Sequence, residues 1–172
     1  MKKIILLFGF LLTFGFTCAQ DFEVSTLRIG PYKVFMEKTE AEKIAGTKLK
    51  ITDGQIKNTV KYSGELIVLD LYENYISEAQ PNVASIMGIT TTSKKFKTKS
   101  GIGIGNTKDD LIDAYRNYPS FTVHPAWDDK SEKRLQDAGY FTLEDLDAGT
   151  QLSFKFVNNI ITEISVYLNE GC

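Results

Sequence analysis

The sequence predicts an α+β fold: two tandem units of short helices packed on an antiparallel β-sheet. Three observations carry this. An export-type leader is followed by a chain long enough for one compact core, two short helix patterns look alike, and period-two strand patterns follow each of them. The expected division is a signal peptide at residues 1–19, a first α+β repeat at 20–98 and a second at 99–172.

The leader comes first. Lys2 and Lys3 precede an apolar run over residues 4–16, and Thr17-Cys18-Ala19 places small residues before Gln20. A basic start, an apolar stretch and a small-residue site define a secretory signal. The run is short for a hydrocarbon core of ~30 Å, and no second apolar segment follows it, so no transmembrane segment is expected after cleavage. The expected location is the periplasm or the medium. The alternative makes Cys18 a lipid-modified first residue and the protein a lipid-anchored structural component of the envelope, although Gly15-Phe16-Thr17 departs from the leucine-led pattern of lipoprotein signals.

Loss of Lys2 and Lys3 leaves 18 basic side chains of the original 20 against 22 acidic ones, a formal charge of −4. Mild acidity gives no footprint for nucleic acid. The cluster Lys94, Lys95, Lys97 and Lys99 interleaves with Ser, Phe and Thr and reads as a lysine-protected strand. One cysteine remains, Cys172, which allows dimerisation through that residue but no internal disulfide. The fold must therefore stand on its core, and a chain of about 150 residues buries close to 70% of its unfolded surface.

The first helix pattern opens at Thr39-Glu40-Ala41-Glu42, a capping box, with Ala41, Ile44 and Ala45 at apolar spacing and Gly46 as a stop. The second opens at Thr107-Lys108-Asp109-Asp110, shows Leu111, Ile112 and Tyr115 on one face, and ends before Pro119. Strand patterns follow. Residues 48–52 pair with 56–62 through Asp53-Gly54, residues 65–72 are apolar on both faces and so central, and residues 83–92 run back. In the second unit, Tyr140-Phe141-Thr142-Leu143 reaches Gln151 through Asp147-Ala148-Gly149. Leu152, Phe154 and Phe156 then alternate with polar residues, Asn158-Asn159 turns, and Ile160, Thr162, Ile164, Val166 and Leu168 share the next face. The units differ by extra length at residues 119–148 in the second and around residues 74–82 in the first. Such insertions map to loops, where binding concentrates.

The stretch Gly101-Ile102-Gly103-Ile104-Gly105-Asn106-Thr107-Lys108-Asp109-Asp110-Leu111 resembles the opening motif of the BamE/SmpA and β-lactamase-inhibitor-protein-like superfamily. Leu152-Ser153-Phe154-Lys155-Phe156 with Ile160-Ile161-Thr162-Glu163-Ile164 is similar to that family's closing hairpin, and residues 36–42 look like a degenerate second opening. The resemblance implies tandem units of a helical layer on an antiparallel sheet. It also implies an exported binding protein, either an enzyme inhibitor or a component of outer-membrane assembly. The matched motifs carry no catalytic residues to transfer.

Catalytic chemistry has little support. The glycines at 101, 103 and 105 lack the third position of a dinucleotide loop, which is Asn106, and explain themselves as a tight turn before a capped helix. His124, the single histidine, stands near Ser120, Asp128 and Asp129. A small exported hydrolase centred on it is the rival reading, but no nucleophile-elbow context accompanies these residues. One histidine is too few ligands for a metal site. The expectation is a non-enzymatic protein without cofactor that engages another envelope or secreted protein. Tyr118, Phe121, His124 and Trp127 on the Pro-punctuated second insertion, with Tyr72 and Tyr75 at the first, are the residues expected to make the contact.

Overall fold

The computed structural model describes residues 21–52, 56–74, 83–128 and 130–169. The leader with Cys18, the turn at Asp53-Gly54, Tyr75 and Cys172 lie outside these residues, and with them the expected cleavage, lipid anchor and thiol-linked dimer. In chain order the elements are β1 (Glu23–Val24), β2 (Arg28–Ile29), β3 (Tyr32–Lys33), α1 (Lys38–Ala45), β4 (Asn58–Tyr62), β5 (Glu65–Asn74) and β6 (Val83–Thr91). Then come β7 (Lys97–Thr98), α2 (Lys108–Tyr115), β8 (Phe121–Asp128), β9 (Lys133–Asp145), β10 (Thr150–Val157) and β11 (Ile160–Leu168).

This corrects the expected α+β class, because the fold is mostly β. Its main body is a seven-stranded sheet in the order β4-β5-β6-β11-β10-β9-β8, antiparallel throughout. A second sheet, β3-β2-β1-β7, is made of two-residue strands, with β1 and β7 parallel. The helices are only eight residues each. Two features hid the β content. Strands of two residues carry no readable period. Residues 121–128, expected as a loop because of Pro125, form the edge strand β8, where a residue without an N–H is tolerated.

The main sheet runs unbroken across the expected unit boundary, since β6 pairs with β11 through Val166↔Ile89 and its neighbours. One core cluster spans both halves. Ile67, Leu69 and Leu71 from β5, Phe141 and Leu143 from β9, Leu152 and Phe154 from β10, and Ile164 and Val166 from β11 meet Val24, Ile29, Tyr32, Ala41 and Leu111 from the small sheet and the helices, and Phe96 just before β7. The small sheet, α1 and α2 thus cover one face of the main sheet, here called the inner face.

Local chemistry explains the helix ends. Thr107 caps α2: its hydroxyl accepts the Asp110 N–H at 3.0 Å, and the Asp110 carboxylate accepts the Thr107 N–H at 2.8 Å. These bonds to Thr107 and Asn106 hold the Asp110 carboxyl below its ordinary range. The matching box at Thr39 does not form. α1 starts at Lys38, so Thr39 already lies inside the helix, and Glu42 instead accepts from the Leu49 N–H at 3.0 Å and from Lys48 Nζ at 2.9 Å. Gly103 is needed before α2 because a Cβ there would lie 2.5 Å from the Phe96 carbonyl oxygen.

Three strand readings also shift. Residues 48–52 form no strand; the Asn58 side chain takes that role, bonding Lys50 N and O at 2.8 Å each. A bulge at Lys155/Phe156 changes the face of β11, so Ile161 is buried while Ile160 is exposed. β5 is buried on one side alone, with Leu66 56% exposed on the other.

Candidate functional site

The outer face of the main sheet is where the chemistry of the strands departs from packing. Residues opposite one another in register share a face. Across five neighbouring strands the pairs Thr90↔Ser165, Ser165↔Ser153, Ser153↔Thr142 and Thr142↔Thr122 place five small hydroxyl side chains in one row. Thr90 and Ser165 hydroxyls lie 3.0 Å apart, and Thr142 donates to Ser153 at 3.2 Å. Thr142 and Ser153 are buried.

On one side stand Tyr140, His124 and Lys155. The Tyr140 and His124 rings are 5.4 Å apart, Lys155 Nζ lies 6.0 Å from the Tyr140 ring centre, and His124 Nδ1 sits 3.3 Å from the Pro125 carbonyl oxygen. His124, Tyr140, Ser153, Ser165 and Tyr167 border a hollow of about 180 Å³. On the other side lies a larger hollow of about 510 Å³, bordered by Asp70, Tyr72, Met87, Gly88, Gln151 and Tyr167. Tyr167 is common to both, so the two hollows are continuous parts of one surface.

Asp70 faces Gly88 in register, and a Cβ at residue 88 would come within 3.1 Å of its Oδ2. The missing side chain is what lets the carboxylate lie across the sheet. Burial pushes the Asp70 carboxyl above the usual aspartate range, and Lys57 pulls it back only in part. Among the described residues no hydrogen bond or ion pair reaches it.

The residues expected to contact a partner divide between surfaces. Tyr72, 45% exposed, and His124 stand on the outer face. Phe121 lies on the inner face, stacked on Phe141 at 5.2 Å, and Tyr118 packs beside the core with its ring edge on Tyr115 at 6.4 Å. Trp127, 55% exposed, pairs with Arg134 farther along the β8–β9 hairpin. Of the residues weighed for hydrolysis, Ser120 donates to Glu144 at 2.7 Å, Asp128 accepts from Ser131 at 2.5 Å, and His124 Nδ1 lies 3.3 Å from the Pro125 carbonyl oxygen; Asp129 lies outside the described residues.

Tyr140, Tyr167, Ser153, Ser165 and Asp70 were missed. The available signal was their type: exposed strand positions usually carry lysine, glutamate or arginine, whereas here Ser153 sits between Leu152 and Phe154, and Ser165 between Ile164 and Val166. No protein-family model, curated protein or solved structure matches the chain. No helix among the described residues is long and apolar enough to cross a membrane.

Proposed function

We propose that this is an exported, non-enzymatic binding protein that docks another envelope or secreted protein on the outer face of its seven-stranded sheet. The supporting observation is the hydroxyl row flanked by Tyr72, Tyr167, Tyr140 and His124. Tyrosine offers a large, rigid contact with a polar tip at low entropy cost and is enriched in protein interfaces; in antibody paratopes it is paired with serine, whose hydroxyl offers an adaptable hydrogen bond. The leader pattern and the resemblance to exported binding proteins of the BamE/SmpA and inhibitor type support the same reading.

The test is crosslinked capture from the envelope and medium of producing cells, comparing wild type with a Tyr140→Ala/Tyr167→Ala double variant. One protein enriched with wild type and lost with the variant, at an unchanged melting temperature, is the expected result. Equal capture by both would refute docking on this face.

A further inference from the structure

The 510 Å³ hollow has a chemistry of its own. Among the described residues on its border Asp70 is the one carboxylic acid, and two tyrosines, Tyr72 and Tyr167, share that border with Met87 and the bare backbone of Gly88. A carboxylate held in a half-buried site, and reached by no hydrogen bond or ion pair among the described residues, bears a desolvation cost that an incoming cation would recover. Lys57 acts on it from a distance and forms no ion pair with it. Aromatic rings beside such a carboxylate add attraction for a cation and stack well on a guanidinium. The volume falls within the range of small-ligand sites, ample for the end of one long side chain.

We infer that this hollow receives a single cationic side chain, a lysine ammonium or an arginine guanidinium, presented by the protein that docks on the outer face. The inference rests on the docking reading. In it, Asp70 accepts the charged N–H groups, Tyr72 and Tyr167 flank the cation, and Gly88 keeps the floor open. A mildly acidic chain is suited to a partner that brings the positive charge.

The test has two arms. In the first, the isotopically labelled protein, recovered from producing cells, is titrated by NMR with N-acetyl-arginine amide and N-acetyl-lysine amide, with the uncharged citrulline amide as control. Saturable shifts at the Gly88 and Tyr167 amides are expected with either cation and not with citrulline. Asp70→Asn, which keeps the shape of the side chain, should weaken the binding about tenfold or more, and Gly88→Ala should weaken it by displacing the carboxylate. No saturable shift with either cation, an equal response to citrulline, or undiminished binding by Asp70→Asn would overturn the inference. In the second arm, the captured partner is compared across variants. Loss with Asp70→Asn as well as with the tyrosine pair supports the inference. Retention by Asp70→Asn but loss with the tyrosine pair overturns it and leaves the docking reading standing. Retention by both overturns the two together.

Discussion

Strand β10 shows both faces of the main sheet within five residues. Leu152 and Phe154 point inward, 2% and 0% exposed, against the layer that carries Leu111 and Tyr115; the Tyr115 and Phe154 ring centres are 6.3 Å apart. Ser153, between them, points outward into a row of hydroxyls bordered by tyrosines. The inner face is apolar and filled, as a core must be. The outer face is neither apolar nor the lysine- and glutamate-rich surface that keeps an exposed sheet merely soluble. The two strand glycines repeat the contrast. At Gly139, on the inner side, a Cβ would lie 2.5 Å from the Phe156 ring, whereas at Gly88, on the outer side, it would meet the Asp70 carboxylate. One glycine serves packing and the other shapes a hollow. The difference teaches that stability and recognition occupy opposite sides of the same strands, so they separate under mutation.

The largest effect that would break this contrast comes from neighbours in sequence. Phe154→Ala should cost about 3–5 kcal/mol of stability by cavity formation. Ser153→Ala, one residue away, should cost less than about 1.5 kcal/mol, since it loses one hydroxyl pairing with Thr142. Denaturant unfolding of the two variants checks the pair. Similar losses would mean that the outer face is structural as well.

Next comes Gly139→Ala, expected to cost about 1–3 kcal/mol because the added methyl also approaches the His124 carbonyl oxygen at 2.7 Å, a backbone atom with little freedom to retreat. Thermal melts report it directly.

A smaller, pH-dependent effect sharpens the outer face. The Asp70 carboxyl is raised by burial, so the folded state holds its proton to higher pH than the unfolded chain does. That group opposes folding at neutral pH, and the penalty fades as pH falls through its folded pKa towards the unfolded value. Asp70→Asn should therefore melt higher than wild type at pH 7, with the gap closing in acid. A melting series from pH 7 to pH 4 reads the sign; a variant less stable at pH 7 would show that the carboxylate has a structural role.

The smallest effect belongs to the core. The Tyr32 hydroxyl is buried without a partner among the described residues. Tyr32→Phe should leave stability unchanged or slightly raised, because an unsatisfied polar atom is removed with the ring retained. A loss above about 1 kcal/mol in the same unfolding assay would point to a bound water on that oxygen.

Much of the inner face was legible in the sequence and little of the outer one. The alternation of Leu152, Phe154 and Phe156, the Asn158-Asn159 turn and the Thr107 cap each depend on residues close in the chain, and the structure carries all three. Ile161 escaped because a bulge moved the face by one residue, and the Thr39 cap failed because α1 starts one residue earlier, at Lys38, with Glu42 bonded beyond the helix end. The hydroxyl row could not be read at all. It joins residues 90, 122, 142, 153 and 165, which become neighbours only once the order and register of five strands are known. Pro125 also led away from β8, since a proline suggests a loop until the strand is seen to lie at the sheet edge.

The most direct measurement is site-specific photocrosslinking in producing cells. A photoreactive phenylalanine analogue is placed at Tyr140 or Tyr167 on the outer face, or at Ile112, 36% exposed on α2 and thus on the opposite side. The account predicts a discrete adduct with one protein from positions 140 and 167 and none from 112. Adducts from 112 alone, or equally from all three positions, would contradict it.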